Sequence, residues 1–226
     1  MMAPGADARR RAADPVRDRR RLLGLMVVVA GLFLLGRAVA LRADRIAWQA
    51  AESARFDRME PDSPAAAPAP GEALARLTID RLGLEAMVAR GSDPETLALG
   101  PGHVPGSALP GGPGNCIIAG HRDADFRRLR NIRKGDLIEL SGRPGRAIYR
   151  VDGIDIVDRD DTALLGQDGD PRLTLVTCYP FFHVGPAPRR FIVRADLVSS
   201  AGPERPRLDG AGPGLERPSP GMGRGV

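Results

Sequence analysis

From Glu72 onward the chain alternates short apolar runs with Gly, Pro and Asp, the texture of strands separated by turns rather than of helices. Runs at 75–80, 84–88, 115–120, 136–140, 146–157, 172–178 and 190–198 predict strands. Only 93–99 and 123–131 leave room for one or two turns of helix each. Seven or eight short strands without a long amphipathic helix predict a mainly β domain over 72–199, a closed barrel or a sandwich.

The N-terminal part has a different pattern. Leu22 to Gly36 is fifteen residues without a charge, and Ala38-Val39-Ala40-Leu41 continues it beyond Arg37. The two stretches together approach the roughly 20 residues that cross a bilayer as a helix. Arg37 lies close enough to the end to extend its guanidinium to the interface. The small-x-small sequence Ala38-Val39-Ala40 also fits a signal-peptide cleavage site. An uncleaved anchor over 22–41 and a cleaved leader are thus both readings of this segment, and either one exports the β domain. Residues 42–60 are rich in helix formers, with Ile46, Ala50 and Ala54 at helical spacing, and predict a juxtamembrane helix with Trp48 at headgroup level. A partly ordered stalk is the plainer alternative. The Pro/Ala-rich stretch 61–71 predicts an extended linker, and the Gly/Pro/Arg-rich tail 200–226 predicts disorder.

Charge decides between partners. Of the 33 basic and 28 acidic residues, seven and three lie in 1–21 and four and three in 200–226, so 22 of each remain in the body. A neutral body gives no basic face for displacing counterions, which argues against nucleic acid despite a pI near 10.1. The arginines of the 1–21 segment predict a cytoplasmic N-terminus and an extracytoplasmic domain, single-pass in the cytoplasmic (inner) membrane.

Candidate chemistry gathers at strand ends. Leu173-Thr174-Leu175-Val176-Thr177-Cys178 is a strand-like run ending in a thiol, and Cys116-Ile117-Ile118-Ala119 runs into Gly120-His121-Arg122-Asp123. A thiol is mostly protonated at neutral pH, so a nucleophilic cysteine needs an imidazole or a guanidinium beside it. His121 follows a strand and is the first candidate; His183, five residues after Cys178, is the second. His103 lies in a Gly/Pro loop, structural or substrate-facing. An arginine suits a developing oxyanion, and Arg189 and Arg190 point to opposite faces of one strand, so only one can serve. Chemistry alone does not choose between them. Neither C-x2-C nor H-x3-H zinc spacing occurs, and no G-x-S-x-G elbow.

Three segments in order, GHRD at 120–123, TLVTC at 174–178 and the arginine before FIV at 191–193, resemble the sortases, membrane-anchored cysteine transpeptidases. LTIDRLGLEAMV at 77–88, the 97–115 loop and LRNIRKGDLIEL at 129–140 extend the likeness over the whole 72–199 domain. TCYPF with the short loop after it is most like the class D-like sortases described from Gram-negative bacteria. The resemblance implies a closed sortase-type β-barrel with Cys178 as nucleophile, His121 as acid and base, and Arg190 rather than Arg189 as the oxyanion partner. It implies exported proteins with a C-terminal LPxTG-like sorting signal as substrates, an amine or water as acceptor, and no cofactor; no acidic cluster reproduces the calcium site of several Gram-positive sortases. A non-catalytic barrel that binds peptides or envelope components is the alternative. With His121 facing Cys178 in that layout, Cys116 lies five residues back along its strand, roughly 16 Å away, too far for a disulfide. Cys116 then reads as a buried hydrophobe and Cys178 as a free thiol.

Overall fold

The structure, a computed structural model, describes residues 15–58, 68–142, 145–161, 163, 166 and 169–201. The expected extended linker lies mostly outside the described residues, as do the first fourteen residues and the tail from 202.

Eight strands close into one barrel: β1 Ala73–Ile79, β2 Leu84–Arg90, β3 Gly102–His103, β4 Asn115–Ala119, β5 Leu137–Gly142, β6 Gly145–Asp158, β7 Arg172–Tyr179 and β8 Arg189–Ala201. Their order around the wall is β1-β2-β3-β4-β7-β8-β6-β5, with β5 returning to β1. Two neighbouring pairs are parallel, β2 with β3 and β4 with β7; the rest are antiparallel. The mainly β, closed-barrel expectation is met, and every strand read from an apolar run is present. The strand that pattern did not reveal is β3, two residues long, because a bridge of that length carries no periodicity.

Alternation along each strand fills the barrel. Leu77, Ile79, Val88, Ile118, Ile138, Leu140, Tyr149, Leu173, Leu175 and Val193 point inward and are almost wholly buried. Tyr149 sends its hydroxyl to the wall, where it accepts from the Gly111 N–H at 2.7 Å, so the one polar atom of this core ring is satisfied. The short helix α2, Pro94–Leu99, starts where Asp93 caps it, its carboxylate accepting from the Thr96 N–H at 2.9 Å, with proline in the first turn. A 3-10 helix, Asp125–Asn131, follows β4 and plugs the barrel end with Phe126 and Leu129.

Before the barrel runs a single helix, α1, Pro15–Asp57. The apolar 22–41 segment and the helix expected after it are one continuous rod, ending at Asp57 rather than at 60. Its apolar stretch has mean hydropathy 2.3 over eighteen residues and none of it is buried in the protein, which is compatible with membrane anchoring. The C-terminal half lies on the barrel. Gln49 is the joint. Strand β2 has β3 beside it only at Ala89 and Arg90, so the Met87 amide would be an open edge. The Gln49 side chain takes the missing strand's place: its Oε1 accepts the Met87 N–H at 2.8 Å and its Nε2 donates to the carbonyls of Met87 and Leu99, each at 3.1 Å. Arg45 pairs with Asp125 on one side, and Arg76 reaches Ser53 at 2.9 Å and Asp57 at 2.7 Å on the other. Trp48 is half-buried in the same contact stretch.

Ion pairs of this exposure contribute little, about 0–1 kcal/mol each, whereas an orphaned buried amide costs about 1–3 kcal/mol. Gln49→Ala is therefore expected to free α1 from the barrel more than Arg76→Ala does. Amide exchange at Met87, in the full chain held in detergent, should accelerate roughly tenfold or more in Gln49→Ala; unchanged protection there would show that Gln49 does not hold the joint.

Candidate active site

The two sides of β7 bring the chemistry together. On one side β8 pairs antiparallel, with Cys178 directly opposite Arg190 and Tyr179 opposite Arg189. The Arg190 Nη1 stands 3.5 Å from the Cys178 Sγ and donates toward it. Arg189 goes elsewhere: its guanidinium lies over the Tyr179 ring, 5.9 Å from the centroid. Of the two neighbours that chemistry left open, Arg190 is the one whose guanidinium faces the sulfur.

On the other side β4 pairs parallel, Ala119 opposite Val176, and one residue on the Gly120 N–H still donates to the Val176 carbonyl at 3.0 Å. Continuing that register sets His121 beside Cys178. The imidazole is exposed, and its ring nitrogens make no hydrogen bond with any described residue. His183 lies on the loop between β7 and β8, exposed, and contributes its carbonyl, which accepts from Arg122 at 2.8 Å. His103 is structural. It is 5% exposed, its Nε2–H donates to the Ala108 carbonyl at 2.9 Å, and burial pushes its pKa down, with the Ala108 carbonyl opposing and Arg90 adding to the shift.

Three residues behind this arrangement carry no signal of their own in the sequence. Thr177 points into the barrel, 2% exposed, and its hydroxyl donates to the Gly120 carbonyl at 2.7 Å, tying the peptide before His121 to the strand that carries Cys178. Gly120 is needed for space, since a Cβ there would stand 2.7 Å from the Phe126 ring. Arg122, the residue after His121, donates to the carbonyls of His183 and Gly185 at 2.8 and 3.1 Å and so fastens the β7–β8 loop over the site. Phe181 of that loop packs with Tyr179 and Phe191 at the ends of β7 and β8 as an aromatic cluster, with centroids 5.1–6.3 Å apart. Thr177, Gly120 and Arg122 lie inside the GHRD and TLVTC segments. Their partners, however, lie on other strands and loops or are chosen by how the 3-10 helix folds back, so spacing alone carries no sign of them.

Both cysteines are free thiols. Cys116 is buried in the core at 1% exposure, and burial pushes its pKa up to about 12. At pH 8 such a thiol is about one part in ten thousand thiolate. Iodoacetamide at that pH is thus expected to alkylate the native chain once, at Cys178, and to reach Cys116 only after unfolding; modification of native Cys116 at a similar rate would contradict the burial. Gly120→Ala should displace Phe126 and cost about 1–3 kcal/mol, read as a lowered denaturation midpoint together with slower alkylation at Cys178.

Comparison with known proteins bears on what this arrangement does. The sortase domain family profile matches residues 77–198. Sortase D of Bacillus subtilis is 37% identical over 133 residues, which are 58% of this chain and 67% of that protein. Among solved structures, a Clostridium perfringens Sortase D5 transpeptidase superposes with a TM-score of 0.54 at 26% identity, covering 66% of this chain and 87% of its own. Sortase A from Corynebacterium diphtheriae does so with a TM-score of 0.53 at 32% identity, covering 64% and 67%. A barrel that carries a cysteine, an arginine and a histidine at neighbouring strand ends, and that shares both profile and fold with these enzymes, is not a bare binding module. The chain belongs to the sortase family, on its class D-like side, and is a cysteine transpeptidase.

Proposed function

We propose that this enzyme is anchored by residues 22–41 in the cytoplasmic membrane, with its barrel on the extracytoplasmic side, and that it processes exported proteins at a C-terminal LPxTG-like sorting signal. The observation that carries the chemical part is the pairing of Cys178 with Arg190 across β7 and β8, sulfur to guanidinium 3.5 Å, with the register of β4 bringing His121 to the opposite flank.

In this reading the Cys178 thiolate attacks the scissile carbonyl, and the carbonyl electron pair moves to oxygen. Arg190, permanently charged and held at the sulfur by its strand, donates to that oxyanion. His121 in its protonated form gives a proton to the departing amine as the C–N bond breaks, leaving a thioester on Cys178. The neutral imidazole then takes a proton from the incoming amine or water. The new acyl bond forms, the C–S bond breaks, and the thiolate is regenerated. No electrons leave the cycle, so the enzyme needs no redox partner.

Two features support the membrane part. The seven arginines of residues 1–21 favour a cytoplasmic N-terminus. The site also lies at the barrel end where the anchor arrives: Arg45, four residues beyond Leu41, pairs with Asp125, four residues beyond His121. A substrate still held by a hydrophobic C-terminal tail presents its sorting signal near the bilayer, at that end.

The full chain in detergent, given an LPxTG-like peptide and a short amine, is expected to cleave the peptide and to form more transpeptidation product as amine is added. Cys178→Ala should abolish turnover, His121→Ala lower it roughly 10²–10⁴-fold, and Arg190→Ala roughly 10²–10³-fold, while Arg189→Ala stays within about twofold. Full activity in Cys178→Ala would refute the mechanism; cleavage of other peptides but not of LPxTG-like ones would refute the proposed signal.

A further inference from the structure

Beside the catalytic residues, rather than over them, is an open pocket of about 780 Å3 walled by arginines: Arg81, Arg127, Arg128, Arg130 and Arg133. The barrel as a whole is neutral, but residues 121–134 carry six basic side chains against two acidic ones. Neither acid pairs with a pocket arginine. Asp125 is taken by Arg45, and among the described residues Asp123 makes no ion pair with any of the pocket arginines. Arg81 is itself neutralised, bonded to Asp136 at 2.6 Å, which holds that carboxyl below its usual range. Arg128 donates to the Leu82 carbonyl, and Arg127 and Arg130 lie over the face of the exposed Phe182 ring, 5.4 and 5.5 Å from its centroid. Among the described residues no carboxylate pairs with Arg127, Arg128, Arg130 or Arg133. Guanidiniums gathered at one pocket repel each other; Asp136 offsets Arg81 and acts on Arg133 from nearby, and no carboxylate forms an ion pair with Arg127, Arg128 or Arg130 among the described residues.

The anchor says which anion is nearest. Arg45 is four residues past Leu41, a rise of about 6 Å along α1. The headgroup layer on each side of the hydrocarbon is itself about 5–7 Å deep. Through its bond to Arg45, Asp125 is held at or just above that layer, and the arginines begin two residues later on the same 3-10 helix. The contacts of α1 farther along the rod, at Gln49, Ser53 and Asp57, are made with β1, β2 and the end of α2, so the Asp125–Arg133 end is the membrane-proximal one.

We infer that this arginine pocket is a docking surface for the phosphate headgroups of anionic phospholipids, which fixes the barrel's attitude on the membrane and keeps the Cys178 site at the bilayer surface. It rests on the anchored reading of residues 22–41. Arginine forks match phosphate oxygens in pairs, and a juxtamembrane basic cluster gains from the negative surface potential only within about a Debye length, which the Arg45–Asp125 tether ensures. The exposed Phe182, beneath Arg127 and Arg130 on the loop next to Cys178, sits where an apolar ring can enter the interface as the guanidiniums above it bind headgroups.

The test uses the full chain in nanodiscs of phosphatidylcholine alone or with about one third phosphatidylglycerol, footprinted with phenylglyoxal and read by mass spectrometry. Modification of Arg127, Arg128, Arg130 and Arg133 is expected to slow roughly tenfold in the anionic discs, while Arg90, exposed at the end of β2 away from the pocket, is unaffected, and the protection is expected to fade at high salt. In Arg127→Gln/Arg130→Gln the remaining Arg128 and Arg133 should lose most of that protection. Equal rates in both discs would overturn the inference, and so would equal protection by millimolar inorganic phosphate in pure phosphatidylcholine discs, which would mark a free-anion pocket. Recovery of the chain without disc lipid is read separately on the same sample and would overturn the anchored reading itself.

Discussion

The constraint on which this enzyme depends is that β7 has a hydrogen-bonded neighbour along both edges, β4 parallel on one and β8 antiparallel on the other. A strand bonded on both sides cannot slide, because a one-residue slip would turn Leu173, Leu175 and Thr177 out of the core and every partner with them. Cys178, alternating with Thr177, is thereby held on the outer face at a known height, with Arg190 opposite it and the residue after Gly120 beside it. Cys178 and Arg190 meet although twelve positions apart in the chain, and His121, 57 positions before Cys178, directly follows the strand on the other side.

The supporting contacts share one logic, fixing backbone rather than side chain. Thr177 commits its hydroxyl to the Gly120 carbonyl, Phe126 occupies the space that only glycine leaves at 120, and Arg122 binds two carbonyls of the β7–β8 loop. Each acts on the main chain around the site and leaves the His121 side chain itself unbonded. The ring is thus left the freedom that the proposed proton transfer asks of it, to leaving group and from incoming nucleophile, while its main chain is held.

The helix α1 adds an orientation that a barrel alone would lack. Gln49 closes an open edge of β2 as a strand would, and Arg45 ties the rod to the turn that follows His121. On the proposed anchored reading, a span that ended in a free linker would leave the site facing any direction, whereas one that continues as a single helix onto the barrel would pass its own direction to the domain, and the inferred arginine surface would give that direction an electrostatic partner.

Much of this was readable in one dimension. Apolar runs bounded by turn residues marked the long strands, since strand period and burial are local properties of the chain. The uncharged stretch after the first arginines marked the apolar helix, and Cys178, His121 and an arginine pair stood at strand ends. The resemblance of their segments to sortases added the choice of Arg190, which the residues alone left even with Arg189. The hidden part depends on contacts between distant segments. The two-residue β3 exists only because β2 and β4 flank it, and the joint at Gln49 exists only because Met87 is an unpaired edge. The burial that silences Cys116 while Cys178 remains accessible comes from barrel closure, and the charged pocket emerges from a body whose net charge is zero. Local patterning determined which segments are strands and which residues can do chemistry; tertiary closure decided which of them meet, because register, burial and charge clustering are properties of neighbours in space that sequence distance does not encode.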